Sequence, residues 1–214
     1  MTQKAVIFDM DGVIVDSEYL WKQAEQEVFS SLGVQLTDEY CTITQTMTTA
    51  EVTRFWFEKF PWNNTSHDIV EQMVISRVIQ LINTENCAID GIKKFIEKLK
   101  ASNYKIGLAT NSPHRIIPVV LQKTGIIHLF DTFSSAESEL KGKPDPAVYL
   151  TTAAKLNVDA RNCIAIEDSY SGMLAAKNAG MTVIAFTNGN PVMHTEIAAF
   201  TIHHFDEFEI NQLN

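Results

Sequence analysis

The sequence has few cysteines, no long hydrophobic run and no familiar nucleotide-binding or serine-hydrolase motif. Its three cysteines, Cys41, Cys87 and Cys163, are odd in number and far apart, so their spacing gives neither a disulfide framework nor a zinc site. Such cysteine usage suits a reducing compartment. The apolar run near the amino terminus is too short for a signal peptide or a membrane span. We therefore expect a soluble, cytoplasmic protein without membrane partners.

Basic residues are also in short supply. Seventeen Lys and Arg residues against 26 Asp and Glu residues give a formal net charge of −9. A negative field repels phosphate backbones, so we expect no nucleic-acid partner. A small phosphorylated substrate is compatible with this charge, because a bound divalent cation reverses the local field. The 214 residues are 45% hydrophobic, which is enough for one full domain carrying a modest insertion.

Short apolar runs that end at polar residues alternate with segments of helical periodicity. Four runs are expected to be strands: residues 5–8, 106–109, 163–166 and 182–186. They are apolar on both faces, as is typical of central strands covered by helices on each side. The alternation predicts an α/β fold, a doubly wound parallel sheet with a Rossmann-like core. Ligands of such sheets bind at the carboxyl ends of the strands.

Residues 16–85 interrupt this alternation. They are predicted to form helices near 17–32, 49–60 and 66–82, with no strand between them. A first strand followed by about 70 helical residues indicates an inserted small helical cap domain. We therefore assign residues 1–15 and 86–214 to an α/β core domain and residues 16–85 to the cap.

Two acidic residues, Asp9 and Asp11, follow directly on the first predicted strand. Residues i and i+2 of an extended segment point the same way, so both carboxylates can face one site. Such a pair can hold a hard cation, attack an electrophile or move a proton. A polar turn without function is the alternative, since Asp and Gly favour turns.

Polar residues also follow two other predicted strands, and a further one lies in a loop. Thr110 and Asn111 precede a helix start, where a hydroxyl and exposed N–H groups form a seat for phosphate. Lys143, fixed beside a proline, can neutralise a phosphoryl group. Glu167 and Asp168, placed near other acids, require a proton or a cation, and Mg²⁺ prefers such oxygens.

Helix boundaries give a structural alternative for some of these positions. Ser112, followed by Pro113, is predicted to be an N-cap, and Asp145-Pro146 repeats that signal. Asp168 or Ser169 could likewise cap the next helix, and Gly180 should follow its end.

Four motifs, taken in chain order, resemble those of the haloacid dehalogenase-like hydrolases. They are D-M-D-G-V-I-V-D-S at 9–17, T-N-S at 110–112, G-K-P-D-P at 142–146 and E-D-S at 167–169. The helical insertion after the first motif resembles the small-cap subgroup that contains β-phosphoglucomutase and sugar-phosphate phosphatases. The stretches S-E-Y-L-W and F-P-W look most like the 2-deoxyglucose-6-phosphatase and hexitol-phosphate phosphatase members.

The resemblance implies a phosphoaspartyl mechanism, in which Asp9 is the nucleophile and Asp11 the acid and base. The groups that would hold the phosphoryl oxygens are Thr110, the backbone N–H of Asn111, and Lys143. The Mg²⁺ ligands would be Asp9, the carbonyl oxygen of Asp11, and Asp168. Glu167 would lie close by, either bound through water or paired to Lys143.

The cap is expected to recognise the sugar through Trp21, Thr46 and Thr48, although Trp21 also suits an ordinary core position. The expected activity is Mg²⁺-dependent hydrolysis of hexose or hexitol phosphates by a monomer. A phosphosugar mutase is the first alternative; Leu20-Trp21, where the mutases usually carry a histidine, weighs against it. A receiver-like phospho-acceptor module is the remote alternative, because a receiver has no use for a cap.

Overall fold

The computed structural model describes residues 3–44, 47–190 and 195–208. Within them lies one sheet of six strands: β1 (Ala5–Phe8), β2 (Lys105–Thr110), β3 (Thr132–Ser135), β4 (Cys163–Glu167), β5 (Thr182–Phe186) and β6 (Phe200–Ile202). All neighbouring strands are parallel, in the order β3-β2-β1-β4-β5-β6. This is the doubly wound order of Rossmann-like folds, so the predicted fold class is confirmed.

Eight α-helices accompany these strands in the described ranges. They are α1 (Glu18–Ser31), α2 (Asp38–Thr44), α3 (Thr49–Lys59), α4 (His67–Thr84), α5 (Ile92–Ala101), α6 (Ile116–Lys123), α7 (Ala147–Leu156) and α8 (Tyr170–Asn178). None of them combines the length and the apolarity that a membrane crossing requires.

Hydrophobic residues cover both faces of the sheet, as the unbroken apolar runs predicted. Val6 and Phe8 of β1 belong to one cluster with Phe95 of α5, whereas Ile7 belongs to the other with Tyr149 of α7. Because successive strand residues point to opposite faces, each short run supplies both clusters. The sheet therefore lies between two layers of helices in the described part of the chain, and its strand ends remain available to ligands.

Helices α1 to α4 all lie between β1 and β2 in the chain, and they include the three helices predicted for this stretch. Helix α4 packs against α1 and α3 of the same insertion and against α6, which follows β2, so α4 joins the insertion to the rest of the fold. The segments that enter and leave the insertion lie side by side. The Asp16 backbone N–H donates to the Cys87 carbonyl oxygen (2.7 Å), and the Ile89 backbone N–H donates to the Ile14 carbonyl oxygen (3.0 Å). The proposed division into a core and a cap domain at residues 16 and 85 stays a prediction.

Three expectations about helix ends concern α6, α7 and α8. The prediction that Ser112 is a helix N-cap is wrong, because α6 begins at Ile116 and its N-cap is Arg115. The Asp145-Pro146 prediction is wrong by one residue, because α7 begins at Ala147 and its N-cap is Pro146, although Asp145 Oδ1 accepts a hydrogen bond from the Ala147 N–H (3.0 Å). Gly180 follows the end of α8 with a φ of 82°, a left-handed conformation that glycine adopts without strain.

Candidate active site

Three strand ends bring the predicted site residues together. Asp9 follows β1, Thr110 ends β2 and Glu167 ends β4, and β1 lies between the other two strands. The strand order reverses between β1 and β4, and crevices at such reversals are where doubly wound sheets bind ligands. The fold thus collects polar residues from distant parts of the sequence at the centre of one sheet edge.

Lys143 is the buried cation at the centre of this cluster. Its Nζ donates to Asp9 Oδ1 (2.7 Å), to Glu167 Oε1 (2.5 Å) and to the Ala109 carbonyl oxygen (2.9 Å). Burial lowers the pKa of Lys143, but the carboxylates of Asp9 and Glu167 raise it more, and the pKa ends above its ordinary value. The ammonium group therefore keeps its charge beside the Asp9 carboxylate.

Asn111 fixes the loop that carries this lysine. Its Oδ1 accepts a hydrogen bond from the Lys143 backbone N–H (2.9 Å). Gly142, immediately before the lysine, lies so close to Asn111 that an added Cβ would sit 3.0 Å from Oδ1. The side chain of Asn111 thus positions the lysine loop, and the phosphate contact expected of its N–H stays a prediction.

Glu167 is fully buried and has its oxygens occupied by protein donors. Besides Lys143, the Tyr149 hydroxyl donates to Oε1 (2.6 Å) and the Ser169 hydroxyl donates to Oε2 (3.1 Å). A Cβ on Gly172 would overlap this carboxylate, so glycine is required there for packing. Glu167 is therefore paired to Lys143, which is one of the two arrangements that the family resemblance implied for this residue.

Asp9, Glu167 and Asp168 form an acidic cluster whose ligand oxygens all lie within 4.8 Å of one another. Burial raises the pKa of Asp9 to about 7; Lys143 lowers it, and the charges of Glu167 and Asp11 raise it. Burial and the charges of Asp9 and Glu167 likewise raise the pKa of Asp168 well above its ordinary value. One lysine does not balance these acids, and a divalent cation with oxygen ligands fits the deficit.

Gly12 makes room for one of the candidate metal ligands. Its φ is 76°, and a Cβ at this position would overlap the Asp168 carboxylate. Because the Asp168 side chain is half-buried against the backbone that follows Asp9, its oxygens are held next to that residue. The D-x-D-G sequence thus supplies the Asp9 carboxylate and, through Gly12, the space that the Asp168 carboxylate occupies.

The Asp11 carboxylate accepts hydrogen bonds from three side chains. The Ser17 hydroxyl (2.5 Å) and the Trp21 indole N–H (3.0 Å) bind Oδ1, and the Ser112 hydroxyl (2.6 Å) binds Oδ2. Ser112 belongs to the T-N-S motif, so the hydroxyl predicted to cap a helix binds the second acid instead.

Thr110 is buried beneath the same loop. Its Oγ1 accepts from the Ser112 backbone N–H (3.0 Å), and the Ser135 hydroxyl donates to the Ser112 carbonyl oxygen (2.6 Å). These bonds fix the loop that presents Ser112 to Asp11. The phosphate-binding role of Thr110 stays a prediction.

The three cap residues predicted to recognise sugar differ in what the structure says of them. Thr46 lies outside the described residues. Thr48 caps α3, where its hydroxyl donates to Glu51 Oε2 (2.8 Å) and accepts from the Glu51 N–H (3.4 Å). Trp21 directs its N–H to Asp11. Their contacts with substrate stay predictions.

Sequence reasoning missed several residues that organise this site. Ser17 lay inside the first motif and Gly172 three residues after the last one, so a search for close packing around the motifs could have found them. Tyr149 gave no such signal, because it reaches Glu167 from the buried side of α7.

Comparison with known proteins agrees with this geometry. The family model of the haloacid dehalogenase-like hydrolases matches residues 6–186. The chain is 39% identical to hexitol phosphatase B of Escherichia coli K12 over 181 residues, which cover 84% of this chain and 82% of that one. It is 32% identical to β-phosphoglucomutase of Bacillus subtilis over 205 residues, covering 91% and 88%.

A solved structure extends the similarity to the whole fold. The crystal structure of β-phosphoglucomutase from Clostridium difficile superposes with a TM-score of 0.85, at 26% identity, over 99% of this chain and 96% of that chain. The predicted family resemblance is thereby confirmed. The chain belongs to the haloacid dehalogenase-like hydrolases, among relatives named as sugar phosphatases and phosphosugar mutases.

Proposed function

We propose that this protein is a Mg²⁺-dependent phosphatase that hydrolyses hexose or hexitol phosphate monoesters through an aspartyl phosphate. The observation that carries the proposal is the contact of 2.7 Å between Lys143 Nζ and Asp9 Oδ1 at the centre of the acidic cluster. It places a fixed positive charge beside a carboxylate at the strand end where ligands bind. The similarity to hexitol phosphatase B supports the substrate class.

In the first step, a carboxylate oxygen of Asp9 attacks the phosphorus atom in line with the leaving oxygen. A bond forms between Asp9 and phosphorus, and the ester bond to the sugar breaks. Asp11 gives its proton to the departing alkoxide, so the sugar leaves as an alcohol. The positive charge of Lys143 offsets the charge of the approaching phosphoryl group, which otherwise meets the carboxylates of Asp9 and Glu167.

In the second step, Asp11 is ionised and acts as a base. It takes a proton from water, whose oxygen attacks the phosphorus and breaks the bond to Asp9. Inorganic phosphate leaves, and both aspartates return to their starting states. Phosphoryl transfer needs positioning and charge neutralisation above all, and the rigid bonds around Lys143 and Asp11 supply them.

The residues that would hold Mg²⁺ are Asp9 and Asp168 by their carboxylates and Asp11 by its carbonyl oxygen. When bound there, the ion supplies positive charge to the phosphoryl oxygens and to the crowded acids. Glu167 is the least suited to be a ligand, since Lys143, Tyr149 and Ser169 occupy its oxygens.

A phosphosugar mutase is the second candidate, favoured by the similarity to β-phosphoglucomutase. A mutase returns the phosphoryl group to another hydroxyl of the sugar instead of passing it to water. Where the mutases usually carry a histidine, this chain has Leu20-Trp21. The indole N–H of Trp21 contacts Asp11 and, unlike a histidine ring nitrogen, cannot accept a proton. A receiver-like module is disfavoured by helices α1 to α4, which a phospho-acceptor does not need.

The test is release of inorganic phosphate from hexitol, hexose and pentose phosphates, with Mg²⁺ or with EDTA. We expect Mg²⁺-dependent turnover that Asp9→Asn lowers by at least about 1,000-fold, because the nucleophilic oxygen is lost with almost no change in volume. Activity of the variant above a few per cent would refute the nucleophile. Interconversion of sugar phosphate isomers without phosphate release would identify the mutase.

A further inference from the structure

The Asp11 carboxylate is bound by side chains from two separate parts of the molecule. Ser112 comes from the loop after β2, whereas Ser17 and Trp21 come from the start of the helical insertion. Oδ1 accepts two bonds, from a hydroxyl and from an indole N–H; Oδ2 contacts one hydroxyl, which can donate or accept. Oδ2 is therefore better suited to carry the proton, because the N–H of Trp21, which can only donate, occupies Oδ1 and not Oδ2.

Local helix geometry aims Ser17 and Trp21 at the same oxygen. Trp21 follows Ser17 by four residues, and its backbone N–H donates to the Ser17 carbonyl (3.0 Å), so the two side chains share one helix face. Ser17 is the N-cap residue of α1 but makes no side-chain cap bond, and its buried hydroxyl is directed to Asp11 instead. The positive end of the α1 dipole also lies towards this carboxylate.

The indole ring has little freedom to turn away. Trp21 is half-buried and packs against the large hydrophobic cluster that joins the insertion to the sheet. Its N–H is fixed in direction by that packing, unlike a serine hydroxyl, which rotates. Among the three donors to Asp11 (Ser17, Trp21 and Ser112), Trp21 is thus the one whose position depends on packing between the insertion and the hydrophobic cluster.

We propose that Trp21 is a positioning residue that holds Oδ1 of Asp11, so that Oδ2 faces the leaving oxygen and then the attacking water. The inference rests on the proposed phosphatase function and adds a role to Trp21 that differs from sugar recognition. The packing of the insertion and the orientation of Asp11 are then connected, because the Trp21 side chain takes part in both.

The test compares Trp21→Phe, which keeps a ring but loses the N–H, with Trp21→His. In a histidine, Nε2 occupies the ring position equivalent to the indole Nε1 and restores a donor. We expect Trp21→Phe to lower kcat by about tenfold with KM changed less than about twofold, and Trp21→His to recover most of the loss. Equal losses in both variants, or wild-type kcat in Trp21→Phe, would overturn the proposal.

A substrate with a good leaving group gives a second readout. p-Nitrophenolate needs no proton to leave, so transfer of phosphate to Asp9 stays fast when Asp11 is misaligned, whereas hydrolysis by water becomes slow. Trp21→Phe should then release a burst of p-nitrophenol approaching one molecule per enzyme, a sign of accumulated phosphoenzyme. A merely structural defect would lower both steps together and give no burst, which would contradict the positioning role.

Trp62→Phe is the matched control. The indole N–H of Trp62 is buried and has no hydrogen-bond partner in the described part of the chain. This variant should keep kcat within about twofold of wild type and show no burst. If the wild-type enzyme releases no phosphate, the proposed function fails. If the wild-type enzyme is active and the Trp21 variants match it, the proposed function stands and the positioning role of Trp21 is refuted.

Discussion

Glu25, on α1, is half-buried and has no hydrogen-bond partner in the part of the chain that the structure describes. Burial raises its pKa from the ordinary 4.5 to about 7, since the charged form loses solvation. Between these two pH values the folded state binds more protons than the unfolded state. The contribution of Glu25 to stability is therefore full below pH 4.5 and is lost as the pH rises through 7.

Glu25→Gln should remove this pH dependence, because an amide of similar shape does not ionise. The size of the pKa shift limits the effect to roughly 3 kcal/mol, and partial exposure reduces it to about 1–2 kcal/mol. We expect the variant to match wild type near pH 4.5 and to exceed its free energy of unfolding at pH 8, as measured by urea denaturation. Glu58→Gln, on an exposed position of α3, should leave the two pH profiles parallel. Parallel profiles for Glu25→Gln would contradict the assignment.

At the scale of single residues, the sequence predicted the acids because they follow buried strands, and the lysine because it lies in a loop beside a proline and within a family motif. The contacts of 2.5–3.0 Å around Lys143 and Asp11 could not be predicted, since they depend on rotamers and on side chains such as Tyr149 that approach from another helix. The requirement for glycine at Gly172 is also a property of three-dimensional packing, not of local sequence.

At the scale of elements, α3 shows a local device with a consequence for the site. Thr48 and Glu51 form a capping box: the Thr48 N–H donates to Glu51 Oε2 (2.8 Å), and the Thr48 hydroxyl accepts from the Glu51 N–H (3.4 Å). A Cβ on Gly142 would lie 3.0 Å from the methyl group of Thr48. The first turn of α3 therefore lies against the loop that carries Lys143.

Thr48→Ala should lower the free energy of unfolding by about 1 kcal/mol, because N–H groups at the start of α3 lose their acceptor. Thr48→Ser keeps the hydroxyl and should stay within about 0.5 kcal/mol of wild type. Chemical denaturation of the three proteins in parallel measures the difference. Equal losses in the alanine and serine variants would show that the methyl group, rather than the cap, is what matters.

The elements that sequence reasoning missed are short or lie at edges. β3 has the sequence T-F-S-S and β6 has only three residues, F-T-I, so neither gives the apolar run that identified the four central strands. α2 spans seven residues and includes the exposed Ile43, too little for a helical period to stand out. These elements form through pairing and packing with neighbours that a single sequence does not place.

At the scale of the whole molecule, parallel topology explains why four separated motifs meet. Once the sheet is parallel and doubly wound, the carboxyl ends of β1, β2 and β4 must share one edge, and the polar residues at those ends converge there. The sequence therefore predicted which residues gather but not the imbalance of charge that results. That imbalance opposes folding, because the burial of Asp9 and Asp168 favours their neutral forms.

A bound Mg²⁺ should convert this internal repulsion into stability. Saturation at about 100 times the dissociation constant adds about 2.7 kcal/mol, which raises the melting temperature of wild type by about 5–10 °C. Asp168→Asn removes one carboxylate and keeps its shape over Gly12, so we expect it to melt above wild type in EDTA and to gain little from Mg²⁺. Thermal denaturation with Asp90→Asn as an exposed control measures both effects. An equal Mg²⁺ shift in Asp168→Asn would exclude Asp168 as a ligand, because a cation bound elsewhere would be indifferent to this carboxylate.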